Sequence, residues 1–305
     1  MDILAITLTV SGLVLFETVS SIDNAIINAE VLSTMSKKAR KWFLVWGLLI
    51  AVFLLRGLLP WLIVWAVNPS LGPMGAFTAA LSSDPKVVEA IEQSKHILLS
   101  GGGIFMIFLF FHWLFLEPKN YGLKGERFFH SQGVWFYAVV SVILAMVVWY
   151  SIRLDPLMAF GAVVGSTAFF ITHGFKENAK ASEEKLLEKG QSSLSDVSKI
   201  FYLEVIDATF SIDGVIGAFA YTLSVPLILL GNGIGAIVVR QLTLGNIQRI
   251  KTYIYLKNGA MYSIFSLGII MLLESYRFHI PAWFSPVTTA VIVGYFFLKS
   301  KKALR

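Results

Sequence analysis

Five carboxylates lie in or beside long apolar runs of this chain: Glu17 and Asp23 in one, and Glu204, Asp207 and Asp213 in another. A charged side chain at mid-bilayer costs about 2.5–3.5 kcal/mol on insertion scales, so such residues usually face a wet interior and mark an ion path. Asn24, Ser21 and Ser211 accompany them, and the chain has no cysteine. The donors on offer are therefore carboxylate, amide and hydroxyl oxygens, which suit hard cations such as Mg2+, Ca2+ and Mn2+. Zinc and copper are less favoured, although His112 and His173 leave them open. Arg56 and Arg240 are the candidate charge partners, able to hold the carboxylates or to exchange with a cation.

The acids recur in a pattern. Glu17, five residues, then Asp23 matches Asp207, five residues, then Asp213, with Ser21 aligned to Ser211. Arg56 and Arg240 each sit in the apolar run after the acidic one. At about 100° per residue, Glu17, Ser21 and Asn24 share one helical face, as do Glu204, Asp207 and Ser211. Asp23 and Asp213 are turned by roughly 120° from their partner acids. Either the helices unwind at Ser-x-Asp, or the acids line a path rather than a cage. If the two helices run antiparallel, Glu17 lies at the depth of Asp213, and Asp23 at that of Asp207.

The elements that must position these groups are transmembrane helices. The 305 residues are 56% hydrophobic and 14% charged, with a mean hydropathy of +0.72. A soluble protein cannot bury that much apolar surface. Nine apolar runs stand out, near 3–32, 42–66, 97–116, 133–151, 156–174, 199–221, 225–247, 252–273 and 282–298. They lack the alternation of a membrane barrel, so the expected fold is all-α, a polytopic transmembrane helix bundle of about nine spans.

The net charge of +6 does not imply nucleic acid, because the basic residues cluster between apolar runs. Lys37, Lys38, Arg40 and Lys41 fill one loop, Lys119, Lys124 and Arg127 another, and Lys176 to Lys199 a third. Arg249 and Lys251 follow, then Lys299, Lys301, Lys302 and Arg305; the alternate loops hold only Lys86, Lys95, Arg153 and Arg277. This positive-inside asymmetry places the N-terminus outside and the C-terminus in the cytoplasm. Residues 67–96 read as an outside loop with a short helix. Residues 175–198 read as a charged cytoplasmic linker between a first membrane half, 1–174, and a second, 199–305. The two acidic helices are then five spans apart and cross in opposite directions, the mark of an inverted-topology repeat with a site at its interface.

Plainer readings exist for several of these residues. Glu204 can be interfacial, and an Asp–Arg contact can be architectural. Gly101–Gly103 and Gly231, Gly233 and Gly235 read as close helix packing, and His112 as a structural residue among aromatics.

At its two acidic helices the sequence resembles the TerC-like family of integral membrane proteins, named for tellurium resistance. The family's E-x5-D-N signature stands as Glu17…Asp23-Asn24, and its E-x2-D-x5-D signature as Glu204…Asp207…Asp213, followed by Gly214 and Ala218. Arg56 and Arg240 match the arginines after each signature. Gly214, where family members often carry serine, and the long 67–96 segment mark a divergent branch. The resemblance implies metal-ion handling in a bacterial cell membrane, with manganese efflux foremost.

The expectation is a secondary transporter, not an enzyme, exporting a divalent cation, Mn2+ first and Ca2+ or Mg2+ next, with no resident cofactor. Glu17, Asp23, Asn24, Asp207 and Asp213 would ligate it, with Arg56, Arg240, Glu204, Ser21 and Ser211 around them. Its partners would be the cation and the lipid bilayer, not nucleic acid. Two other classes stay open: an intramembrane enzyme using Asp23 and Asp213 as an acid/base dyad, and a scaffold that senses metal without moving it.

Overall fold

Proline stands in the first turn of each described helix that contains it, at positions 73, 85, 156, 226 and 286, where its missing N–H costs nothing. The runs between are long and uninterrupted, so the backbone satisfies its own polar groups as helix. The computed structural model describes residues 3–21, 25, 31–32, 35–47, 50, 58, 61–62, 65, 69–81, 85–188, 195–245 and 252–304, without side chains for 44, 71, 79–81, 85–94, 176, 178–188, 202, 205–211 and 243–245. No strand occurs among them.

In chain order the helices are α1 (Ile3–Ser20), α2 (Lys37–Trp42), α3 (Gly72–Leu81), α4 (Pro85–Leu116), α5 (Glu126–Ser131), α6 (Phe136–Ser151), α7 (Pro156–Glu188), α8 (Asp196–Ala218), α9 (Val225–Gly245), α10 (Leu256–Ser275) and α11 (Phe284–Ala303). A π-helical turn, Phe43–Gly47, follows α2. Six stretches are long and apolar enough to cross a membrane: Ile3–Ser20, Lys95–Leu116, Gly133–Ser151, Pro156–Phe175, Val225–Leu242 and Leu256–Ser275. By length and composition this is an all-helical membrane protein. Of the other expected spans, 42–66 lies mostly outside the described residues. Those at 199–221 and 282–298 are α8 and α11, made less apolar by the acids of α8 and the terminal lysines of α11.

Three expected boundaries differ. The run expected at 97–116 starts earlier, because α4 runs unbroken from Pro85 through Leu116, and the short helix expected in 67–96 is α3. Good helix formers such as Glu89, Ala90 and Glu92 leave nothing between Pro85 and the apolar core to stop it. The 175–198 linker is helical to Glu188 as a continuation of α7. The next helix starts at Asp196, where the Ser195 hydroxyl accepts from Ser198 N at 3.2 Å as an N-cap. The first run does not form one regular helix to residue 32: α1 stops at Ser20, and Ser21 lies in a turn.

Close contacts fix how the helices run. His96 meets Asp155 at 2.7 Å, Ser100 donates to the Met158 carbonyl at 3.0 Å, and the His112 and His173 rings lie 4.0 Å apart. Both numbers rise together, so α4 and α7 are parallel. They cross where their backbones touch: a Cβ on Gly165 would stand 2.0 Å from the Gly101 carbonyl oxygen, and one on Gly161 2.6 Å from that of Ile97. On its other side α4 packs antiparallel to α10, from Gly103 against Leu272 and Gly268 to Phe110 stacked on Phe265 at 4.4 Å. These contacts bury 72% of the apolar part of α4, making it the central helix.

The loops gather at two ends. At one, Lys299 donates to the Gly122 carbonyl, Ser300 Oγ accepts from Tyr255 N at 2.9 Å, and Asn258 donates to Glu126 at 2.9 Å. Buried Glu126 also accepts from the N–H groups of Gly122 and Leu123 at 2.6 and 3.0 Å, a fully hydrogen-bonded loop lock. Lys119 caps the end of α4 by donating to the carbonyls of Trp113 and Leu114. Burial pushes this lysine down to about 8, although Glu126 and Glu117 push it up. At the opposite end, Lys95 pairs with Glu274 at 3.3 Å, and the Ser151 and Tyr276 hydroxyls lie 3.0 Å apart.

Candidate functional site

Glu17 is 1% exposed, near the end of α1. Three helices enclose it, and α1 meets two of them in register. On α9, a Cβ at Gly231 would press on Leu13 and one at Gly235 would stand 2.6 Å from Glu17 Cβ and 2.7 Å from its Cγ. The two helices are therefore parallel here, and the four-residue glycine spacing lets the α1 side chains lie on bare α9 backbone. On α8, a Cβ at Gly214 would stand 2.8 Å from Glu17 Oε2, one at Gly217 2.5 Å from the Phe16 ring, and Tyr221 reaches Gly12. These numbers run in opposite senses, so α1 and α8 are antiparallel. Glu17 thus stands level with the α8 backbone beside Asp213.

Ser21 donates its hydroxyl to Glu17 Oε1 at 2.8 Å, and its N–H to the Glu17 carbonyl at 3.1 Å. Ala25 N donates to the Ser21 carbonyl at 2.9 Å. Asp213 is half-buried on α8. That helix continues without a break from Asp196 to Ala218, so Asp207 and Asp213 remain about 120° apart around it. The side chains of Asp207 and Ser211 are outside the described set, as are residues Asp23, Asn24 and Arg56. Among the described residues, no group of three or more His, Asp or Glu side chains is placed to hold a metal ion.

A second acidic position lies about 15 Å back along α8 from Gly214. Glu204 is half-buried on α8, and a Cβ at Gly47 would collide with its Oε1. Gly47 closes the π-helical turn, a wider coil often found at functional positions. Arg240 of α9 reaches the start of the same turn: Nη1 donates to the Phe43 carbonyl at 2.5 Å, and the guanidinium lies 4.5 Å from the centre of the Phe43 ring. Glu204 and Arg240 thereby converge on the turn that leads into the second apolar run. Below it, Phe43 and Leu203 share a small core with Val31, Leu32, Met35 and Ala39.

Two features here escape a reading of the sequence. Gly235 and Gly214 provide the clearance for a buried carboxylate, and its trace in the sequence is the even glycine spacing in α9. The His112–His173 pair is the other. His112 Nδ1 lies 3.4 Å from Glu117, which holds Lys257 at 2.9 Å, so this histidine is tied to a charge chain as well as packed among aromatics.

No curated protein and no solved structure matches the chain. A family described as a protein of unknown function, DUF475, matches residues 22–305, all but the first 21 positions, so that Glu17 and Ser21 lie just ahead of the match while every other candidate residue lies within it. On that coverage, the chain belongs to the DUF475 family of proteins of unknown function.

Proposed function

We propose that the protein is a secondary transporter of the cell membrane that exports a divalent cation, Mn2+ foremost, through an acidic site between two inverted halves. Glu17, Asp23, Asn24, Asp207 and Asp213 are its ligands in this reading, and Arg56 and Arg240 its charge partners. The observation that carries it is the Glu17 carboxylate, buried at a three-helix junction and level with Asp213 on an antiparallel helix. An ionisable side chain buried inside a membrane span usually faces an ion path, and carboxylates on two facing helices supply the oxygen donors that a hard cation takes. The signatures shared with TerC-like proteins support manganese over other hard cations. Rocking of one half against the other would expose the site alternately to each side. Protonation of one acid as the cation leaves would couple export to a proton gradient.

The test is cation flux into proteoliposomes across a pH gradient, with Mn2+, Ca2+, Mg2+ and Zn2+ compared. Saturable Mn2+ flux, lost in Asp213→Asn and Glu17→Gln, is the expected result. Folded protein that moves none of the four ions would overturn the proposal.

A further inference from the structure

An apolar groove of about 360 Å3 opens between α1, α9, α10 and α11, on the flank of α1 that carries Thr18 and Val19. Its lining includes Leu15, Leu256, Val293 and Phe297. Among the described lining residues, Thr18 alone has a polar side chain, and its hydroxyl already donates to the Val14 carbonyl at 2.7 Å. The described lining is thus suited to hydrocarbon rather than to a polar ligand.

The α11 wall shows how the groove ends. Ala290, Val293, Gly294 and Phe297 line it at the i, i+3, i+4, i+7 spacing of one helical face. One turn beyond Phe297 on that face is Lys301, exposed, with Lys302 beside it in the last turn. The neighbouring Lys299 is already engaged with the Gly122 carbonyl. The stripe therefore passes from hydrocarbon to the exposed positive charge of Lys301 at the lysine-bearing end of the bundle. That polarity matches a phospholipid with a negative headgroup. Gly294 has open space where a side chain would be, because a Cβ built there meets nothing within 4 Å.

We propose that this groove is a binding site for an anionic phospholipid, with one acyl chain along the α11 stripe and the headgroup phosphate at Lys301. The site does not depend on the transport reading. It does place a lipid chain against Thr18 and Val19, on either side of which stand Glu17 and Ser20–Ser21.

The test uses the full chain purified in detergent, with dioleoyl phosphatidylglycerol and dioleoyl phosphatidylcholine as probes and bound lipid read by native mass spectrometry. Wild type is expected to retain phosphatidylglycerol in preference to phosphatidylcholine. Gly294→Leu sets its Cβ in open space and directs bulk into the groove, so its thermal unfolding should match wild type while it loses retained lipid. Lys301→Gln leaves the groove intact and should lower the phosphatidylglycerol preference about fivefold, the effect of one surface lysine. Equal retention of the two lipids by wild type, or undiminished retention by well-folded Gly294→Leu, overturns the proposal. So does a wild-type dimer that Gly294→Leu converts to monomer, since a second copy would then cover the groove.

Discussion

Gly214 and Gly235 bound Glu17 on two sides, and substitutions there should fail differently. A methyl at Gly235 meets the Cβ and Cγ of Glu17, atoms held close to the α1 backbone, with the Val14 carbonyl 3.3 Å away. The helix itself must move, and overpacking of this kind costs about 1–3 kcal/mol. A methyl at Gly214 meets Oε2, the mobile end of the side chain, which can turn aside. Gly235→Ala should therefore lower unfolding stability in detergent, while Gly214→Ala should unfold near wild type yet reduce Mn2+ flux as Glu17→Gln does. If Gly214→Ala destabilises as much as Gly235→Ala, the carboxylate is locked and Gly214 is ordinary packing. The acids were legible in the sequence because charge inside an apolar run is rare. The glycines that make room for one of them were not, since a glycine in a span reads the same whether it faces a leucine, as Gly231 does, or a carboxylate. Glu126 was passed over for a related reason: its three donors come from a loop and from α10, and only the fold brings them together.

Helix ends carry their own chemistry. Asp155 precedes Pro156 and accepts from Leu157 N at 2.8 Å, so it caps α7 while its other oxygen holds His96 at the start of the apolar part of α4. The Leu157 N–H first, and then His96, hold this carboxyl below its ordinary 3.8. A depressed pKa stabilises the fold above the unfolded value and is lost as pH falls through the lower folded one. Asp155→Ala should cost about 1 kcal/mol near neutral pH, and the difference from wild type should shrink below about pH 4. A difference that stays constant down to pH 3 would show that the carboxylate charge is not what stabilises the turn. At this scale, the existence of the helices was legible and their ends were not. Apolarity marks where a chain enters lipid, but it does not say where a helix stops. The polar, helix-favouring stretches at 85–94 and 176–188 simply continue the coil of α4 and α7. The end of α1 at Ser20 has no proline or glycine to announce it.

For the molecule as a whole, orientation is the expectation most open to direct measurement. Lysine-rich stretches meet at one end of the bundle, as the Lys299–Gly122 and Tyr255–Ser300 contacts show, while Lys95, His96, Asp155 and Glu274 meet at the other. The chain has no cysteine, so single cysteines report without background. In intact cells, a membrane-impermeant maleimide should label Arg153→Cys and spare Lys124→Cys, both at exposed positions; the reverse pattern would invert the expected topology. The two-ended charge pattern was legible from the sequence because lysines are counted loop by loop. The pairing of helices was not, since glycines such as Gly101, Gly103, Gly161 and Gly165 mark close packing without saying which helix is the partner. One consequence concerns leverage. α4 has 32 residues and α7 has 33, roughly 48 and 50 Å at 1.5 Å per residue, against a hydrocarbon thickness of about 30 Å. Because they run parallel and cross near Gly101 and Gly165, α4 overhangs one face of the membrane and α7 the other. A tilt of about 10° at that smooth fulcrum would swing the far tip of α4 by roughly 4 Å, so a push on one surface is felt on the opposite one through two rigid arms.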